Sequence, residues 1–281
     1  MTRGKTVLLM ALVLAAFAGN PLLCRMALKE TAIDPATFTS IRLLSGAVTL
    51  WMVVRWRHAA GCSTGRWWSA LALFAYAALF SFAYVGLSAA TGTLLLFGAV
   101  QVTMIGHGLR RGERLDAWQI LGMVTALAGL LGLLLPGLTA PPLFEACLML
   151  AAGFAWGVYS LHGRGTGDPL CVTAGNFARA VPLSLLLSAL ALSWQHWDAP
   201  GIWLALASGT LTSGIGYAVW YAVLPQLTAI SAATAQLSVP VITALAGVAL
   251  LGEALSSRLV VASVAILGGI ALVIRRVPPV R

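Results

Sequence analysis

Of the 281 residues, 60% are apolar and only 9% charged, and the mean hydropathy is +0.93. A soluble domain carries roughly a quarter of its residues charged, so this composition excludes a water-solvated globule and leaves lipid as the main solvent. The net charge of +9 rests on 17 scattered Lys and Arg, residues that set membrane orientation, and no nucleic-acid partner is expected from such scatter.

A bilayer core takes about 20 apolar residues per helix. Apolar runs punctuated by charge, Pro or Gly predict helices at 6–28, 37–55, 67–88, 90–108, 117–135, 144–162, 170–192, 201–224, 228–250 and 258–275. The first run, with Arg3 and Lys5 ahead of it and Ala16-Phe17-Ala18 inside it, imitates a cleaved signal peptide. Its apolar character continues through Leu22-Leu23, and it reads as a retained first helix. Breaks are clear at Arg55 to His58, Arg110 to Arg114, Pro136 to Pro142, Gly163 to Pro169 and His196 to Pro200, and weak at Ser88-Ala89-Ala90 and Pro225-Gln226. The expected fold class is all-α polytopic, with ten transmembrane helices.

Loop charges then set the topology. With the N-terminus inside, the cytoplasmic set is Arg3, Lys5, Arg55, Arg57, Arg66, Arg110, Arg111, Arg114, Arg164, Arg275, Arg276 and Arg281, against Arg25, Lys29 and Arg258 outside. By the positive-inside rule both termini are cytoplasmic, in a multi-pass protein of a bacterial inner membrane.

The chain also repeats itself. A shift of 140 aligns Gly112-Glu113-Arg114-Leu115 with Gly252-Glu253-Ala254-Leu255, and Val124, Leu127 and Gly129 with Val264, Leu267 and Gly269. A shift of 137 pairs Phe17-Ala18 with Phe154-Ala155, and Arg42 with Arg179. This divides the chain into residues 1–140 and 141–281. Five helices per unit is odd, so the second copy enters the membrane inverted, an arrangement typical of secondary transporters.

Some side chains stand out against this background. Tyr76, Phe80 and Tyr84 share one stripe of the third helix, and Tyr217 and Tyr221 repeat that spacing on the eighth. Such stripes line an aromatic cavity or pack helices. Trp156 lies well inside the sixth helix, whereas Trp51, Trp56, Trp67, Trp68, Trp118, Trp194, Trp197 and Trp203 fall near helix ends as belt residues. The intramembrane amides Asn20, Gln101, Asn176 and Gln236 mark function or interhelical bonding. Pro21 and Pro240 release the carbonyls of Phe17 and Gln236, as kinks and as polar sites. Arg42 and Arg179, one to two turns inside their helices, read as gating or structural, snorkelling to a surface or holding helix ends. Glu113 and Glu253 read as caps of the helices that follow them. All eight acidic residues map to loops or helix ends, so no buried acid serves as an ion relay. The four cysteines lack metal spacing, read as buried thiols, and no metal or cofactor is expected.

Two inverted five-helix halves, Gly-Glu-x-Leu before the last helix of each half, Phe154-Ala155-Trp156-Gly157 and the Arg42/Arg179 pair together resemble the drug/metabolite transporter superfamily, most nearly its EamA-type exporters. The first half departs from the pattern, with Gly19-Asn20 where the second has Trp156-Gly157. The aromatic content is similar to that of the aromatic-amino-acid exporter branch. The resemblance implies a central cavity lined by helices one, three, four, six, eight and nine. It also implies export of small metabolites, amino acids included, by alternating access as a uniporter. The expected substrate-binding set is Asn20, Tyr76, Phe80, Phe97, Gln101, Trp156, Tyr217, Tyr221 and Gln236. The expected partners are small-molecule substrate and lipid, with the protein a monomer or weak homodimer. The alternatives are a lipid or isoprenoid flippase and, in another class, an intramembrane enzyme at Ser213-Gly214.

Overall fold

The computed structural model describes residues 3–57, 65–110, 116–135, 140–162, 168–223, 236 and 238–275. Helices follow one another as α1 (Arg3–Glu30), α2 (Pro35–Trp56), α3 (Trp67–Ala83), α4 (Ala89–Arg110), α5 (Ala117–Leu134), α6 (Leu143–His162) and α7 (Pro169–Leu190). Next come α8 (Ala199–Val223), α9 (Ser238–Leu251) and α10 (Ser257–Arg275). Among the described residues, seven of these helices are long and apolar enough to cross a membrane; α3, α9 and α10 are shorter apolar helices.

Local chemistry sets several helix starts. Asp34 accepts from the N–H groups of Ala36 and Thr37 ahead of Pro35 at the start of α2. Asp168 does the same for Leu170 N–H ahead of Pro169 in α7. Asp116 and Gln119 form a reciprocal capping box on α5. α3 is shorter than the predicted 67–88: its last turn tightens, Val85 and Gly86 donate back to Phe82 and Ala83, and the chain turns before Ala89. Most of the predicted start of the ninth helix, 228–250, lies outside the described residues.

α8 is interrupted by a π-helical segment, Ser208–Ile215, that no periodicity in the sequence announces. Its glycines let it lie against α2. A Cβ on Gly209 would run into Ser45 and the Arg42 carbonyl, and one on Gly214 would sit 2.7 Å from Thr49. Small residues similarly bring α5 against α10, where Gly122 meets the Gly269 carbonyl and Gly129 meets Ala265. Close backbone approach of this kind is how helices associate where hydrophobicity gives no drive between them. Buried hydroxyls add polar ties: Thr39 to Ser81 at 2.8 Å joins α2 to α3, and Ser40 to the Ser184 carbonyl at 2.8 Å joins α2 to α7.

The outer faces are apolar. Leu131, Leu186 and Val261 are exposed, and so are all eight tryptophans assigned to the belt, each at least 53% exposed. This outward apolar surface with an interior of small and polar contacts is that of a multi-pass membrane protein. Cys24 and Cys147 are free, the first buried and the second exposed. Cys171 is disulfide-bonded, so the reading of all four cysteines as buried thiols does not hold.

Candidate functional site

A cavity of about 550 Å³ lies between α1, α3, α4, α6, α7 and α8, with Gln236 also in its wall. Its core is a run of aromatic rings. Trp156 of α6 stands 4.8 Å from Tyr76 of α3 and 5.8 Å, stacked, from Tyr217 of α8. Phe80 flanks Tyr76 at 5.4 Å, and Tyr221 continues the stack 6.5 Å beyond Tyr217. Offset and tilted pairs at these separations are the favoured aromatic geometries. The rings therefore hold one another in place rather than waiting for a ligand to order them.

All nine residues of the expected substrate-binding set lie in this wall: Asn20, Tyr76, Phe80, Phe97, Gln101, Trp156, Tyr217, Tyr221 and Gln236. Pro21 joins them, whereas Pro240 is buried in α9 outside the wall. Tyr84 departs from its stripe. It caps α3, is fully buried, and its hydroxyl lies 3.1 Å from Thr93 Oγ1, so it packs the α3–α4 turn and lines no cavity. Trp220, Tyr159 and Thr173 also line the cavity without having been singled out, as does Phe17, noted before only for its carbonyl and its repeat match. Trp220 sits three residues after Tyr217, a helical neighbour that an i, i+4 search passes over. Phe17 contacts both Tyr217 and Trp220, at 5.9 and 5.8 Å.

Several of the wall's polar groups are already engaged. Asn20 accepts from Ser208 Oγ at 2.8 Å and donates to the Tyr76 hydroxyl at 3.5 Å. Asn176 accepts from Arg66 N–H at 2.9 Å, which ties α7 to the entry of α3. Thr173 donates to the Tyr221 hydroxyl at 3.3 Å. Among the described residues, no Asp, Glu, Lys, Arg or His lines the cavity. Ser213 Oγ is buried and has no hydrogen-bond partner among them, so no base engages it.

The two matched arginines occupy different settings. Arg179, midway along α7 and half-buried, bonds the Gly175 carbonyl of its own helix at 3.0 Å and lies over exposed Trp67 of α3 at 5.8 Å. Arg42 does not snorkel. It is 2% exposed, with its guanidinium 5.4 Å from the Tyr76 ring and 5.0 Å from the Phe80 ring, directly behind the cavity wall. The first half of α2 is enclosed by its neighbours, so the side chain stays among the rings instead of reaching a surface.

One end of the helix cluster is cinched. Arg25 donates to the carbonyls of Tyr84 and Val85 at 2.8 Å each and pairs with Glu253 at 3.4 Å. Both Glu253 carboxylate oxygens accept from Ala89 N–H, at 3.1 and 2.9 Å. Glu253 thus caps the start of α4 rather than α10. Gly252 takes φ +61°, which turns the chain so that Glu253 N–H returns to the Gly247 carbonyl at 3.2 Å, and its side chain meets α4 instead. Glu113, its sequence match, lies outside the described residues. At the same end His196 N–H donates to Asp34 and Ala32 N–H to Asp198.

An all-helical, outwardly apolar bundle around an aromatic cavity is the form of a membrane transporter. Comparison with known proteins points the same way. Residues 143–275 match the EamA-like transporter family. The chain is 56% identical to the protein PA1977 of Pseudomonas aeruginosa, covering 96% of this chain and 94% of that one. It is 27% identical to an uncharacterized transporter of Archaeoglobus fulgidus over 86% and 87% of the two chains. The threonine/homoserine exporter RhtA of Salmonella typhimurium matches at 32% over 48% of each chain. A solved crystal structure shares the fold over 96% of both chains, with a TM-score of 0.67 at 19% identity. Residues 143–275 thus carry a match to the EamA-like transporters, and the chain is similar to a transporter over most of its length.

Proposed function

We propose that this protein exports small metabolites, amino acids including aromatic ones, from the cytoplasm by alternating access as a uniporter of the bacterial inner membrane. The observation that carries the reading is the cavity: aromatic faces and a few amides in its wall, with no charged side chain among the described residues. Such a surface suits a small ligand with an apolar body and polar ends. The match to a threonine/homoserine exporter supports amino acids as the class. The aromatic wall supports the larger side chains.

The packing supports ten spans in two inverted halves. If each helix is matched with the one five places later, contacts occur in related pairs. α2 packs on its match α7, and α5 on α10; α3–α6 corresponds to α8–α1, α4–α6 to α9–α1, and α3–α7 to α8–α2. A pseudo-twofold axis through the bundle produces this pattern. With both termini cytoplasmic, the cinched end is periplasmic. The cavity reaches Ser160 and Pro169, toward the cytoplasmic ends of α6 and α7. This conformation is closed outside.

Cells loaded with phenylalanine from a phenylalanine-containing dipeptide test the reading. Overproduction should lower the internal pool and raise the external one, and an unchanged partition in cells holding folded protein would refute it.

A further inference from the structure

We infer that the Tyr76 hydroxyl, held between Arg42 and Asn20, is a carboxylate-binding subsite of the cavity, so that the substrate carries an acid group. The inference rests on the transport reading of this cavity and names the chemistry that the cavity recognises.

A tyrosine hydroxyl has two acceptor lone pairs and one proton to donate. At Tyr76 the oxygen receives Arg42 Nη2–H at 3.3 Å and Asn20 Nδ2–H at 3.5 Å. Both contacts are long, and both use the oxygen as acceptor. The proton is left over, and among the described residues Tyr76 donates to nothing. Tyr76 and Asn20 both line the cavity, so the uncommitted donor stands at its wall.

Arg42 supplies the charge. Its guanidinium is buried, and Nε and Nη1 have no hydrogen-bond partner among the described residues. It forms no ion pair there; it lies against the faces of Tyr76 and Phe80 and bonds the Tyr76 hydroxyl, with Cys24 and Tyr217 as further neighbours and no carboxylate among them. A buried guanidinium without a counter-ion is costly and draws an anion to it. Through the hydrogen bond it also polarises the Tyr76 O–H and makes it a stronger donor. With no acidic side chain in the wall, the field at this point is positive. It favours a carboxylate over an amide or an amine. Trp156 contacts Tyr76, and Tyr217 stacks on Trp156 beyond it, placed for the apolar body of the same molecule.

The test is calorimetric titration of the purified full chain with two acid–amide pairs: L-phenylalanine and L-phenylalaninamide, then 3-phenylpropanoate and 3-phenylpropanamide. The wild type should bind each acid about tenfold or more tightly than its amide, the size expected of a hydrogen bond to a charged group. Tyr76→Phe keeps the ring and removes the donor, and should bring the acid-to-amide ratio close to one. Arg42→Gln should do the same; if that variant does not fold, Tyr76→Phe decides alone. A Tyr76 that only anchors Arg42 would lower thermal stability on substitution and leave the ratio unchanged, which overturns the inference. Equal binding of acid and amide by the wild type, or no binding by any of the four, overturns it too. Acid preference confined to the phenylpropanoate pair keeps the subsite and refutes the amino-acid reading. Amino-acid binding without acid preference does the reverse.

Discussion

Glu253→Gln should loosen the cinched end of the bundle, which the proposed topology places on the periplasmic side. The native carboxylate accepts Ala89 N–H through both oxygens and faces Arg25 Nε at 3.4 Å, with side chains only 7% and 13% exposed. Glutamine keeps one acceptor but loses the charge at the α4 N-terminus and toward Arg25. Hydrogen bonds to charged groups contribute about 1.5–3 kcal/mol. Because 1.4 kcal/mol is tenfold, the ratio of open to closed periplasmic end should rise by about one to two orders of magnitude. Cys24 reports this: it is free, fully buried, and adjacent in sequence to Arg25. In a Cys147→Ser background, an impermeant maleimide added to spheroplasts should label Cys24 at least about tenfold faster in Glu253→Gln, following the same conversion. Equal labelling rates in folded proteins would refute the claim that this pair holds the end closed.

Two further substitutions probe the wall and its support. Trp156→Ala removes the ring that joins Tyr76 to Tyr217 and should reduce export of aromatic amino acids by about tenfold, given about 0.5–1.5 kcal/mol for each of the two lost aromatic contacts, with normal levels of protein in the membrane. Normal export from such a variant would return Trp156 to packing. Gly209→Ala drives a methyl into Ser45 and the Arg42 carbonyl and should destabilise the protein by about 1–3 kcal/mol, the usual cost of overpacking. A fluorescence-detected melting temperature unchanged from wild type would contradict the close α2–α8 contact.

Much of this architecture was legible because lipid imposes simple rules. Apolar runs gave helices whose ends mostly agree within a few residues: the predicted 144–162 is Leu143–His162 and 117–135 is Ala117–Leu134. The aromatic stripe was visible for the same reason, since helical spacing alone places Tyr76 with Phe80 and Tyr217 with Tyr221. Depth and partner choice were not legible. Arg42 and Arg179 occupy matching sequence positions, yet one is enclosed and the other half-buried beside exposed Trp67, because burial depends on which neighbours cover each helix. The Gly-Glu motif before α10 reads as a local cap, but the left-handed glycine redirects the carboxylate to a helix more than 160 residues away in sequence. The π segment of α8 is equally silent, since it arises from packing against α2 through Gly209 and Gly214 rather than from a local propensity.

Transport by the purified protein tests the central claim most directly. No carboxylate lines the cavity among the described residues, and a proton carrier usually relies on a buried acid as its titrating group. His162 is exposed and bonded to the Val158 carbonyl of its own helix at 2.8 Å, and His107 lies in the last turn of α4, so neither histidine stands in for that acid. Proteoliposomes with matched buffer inside and out should therefore equilibrate labelled phenylalanine with no imposed gradient, at a rate that falls in Trp156→Ala. No movement until a proton or sodium gradient is applied, followed by accumulation above equilibrium, would contradict the uniport account, and no movement of any amino acid under either condition would contradict the proposed function itself.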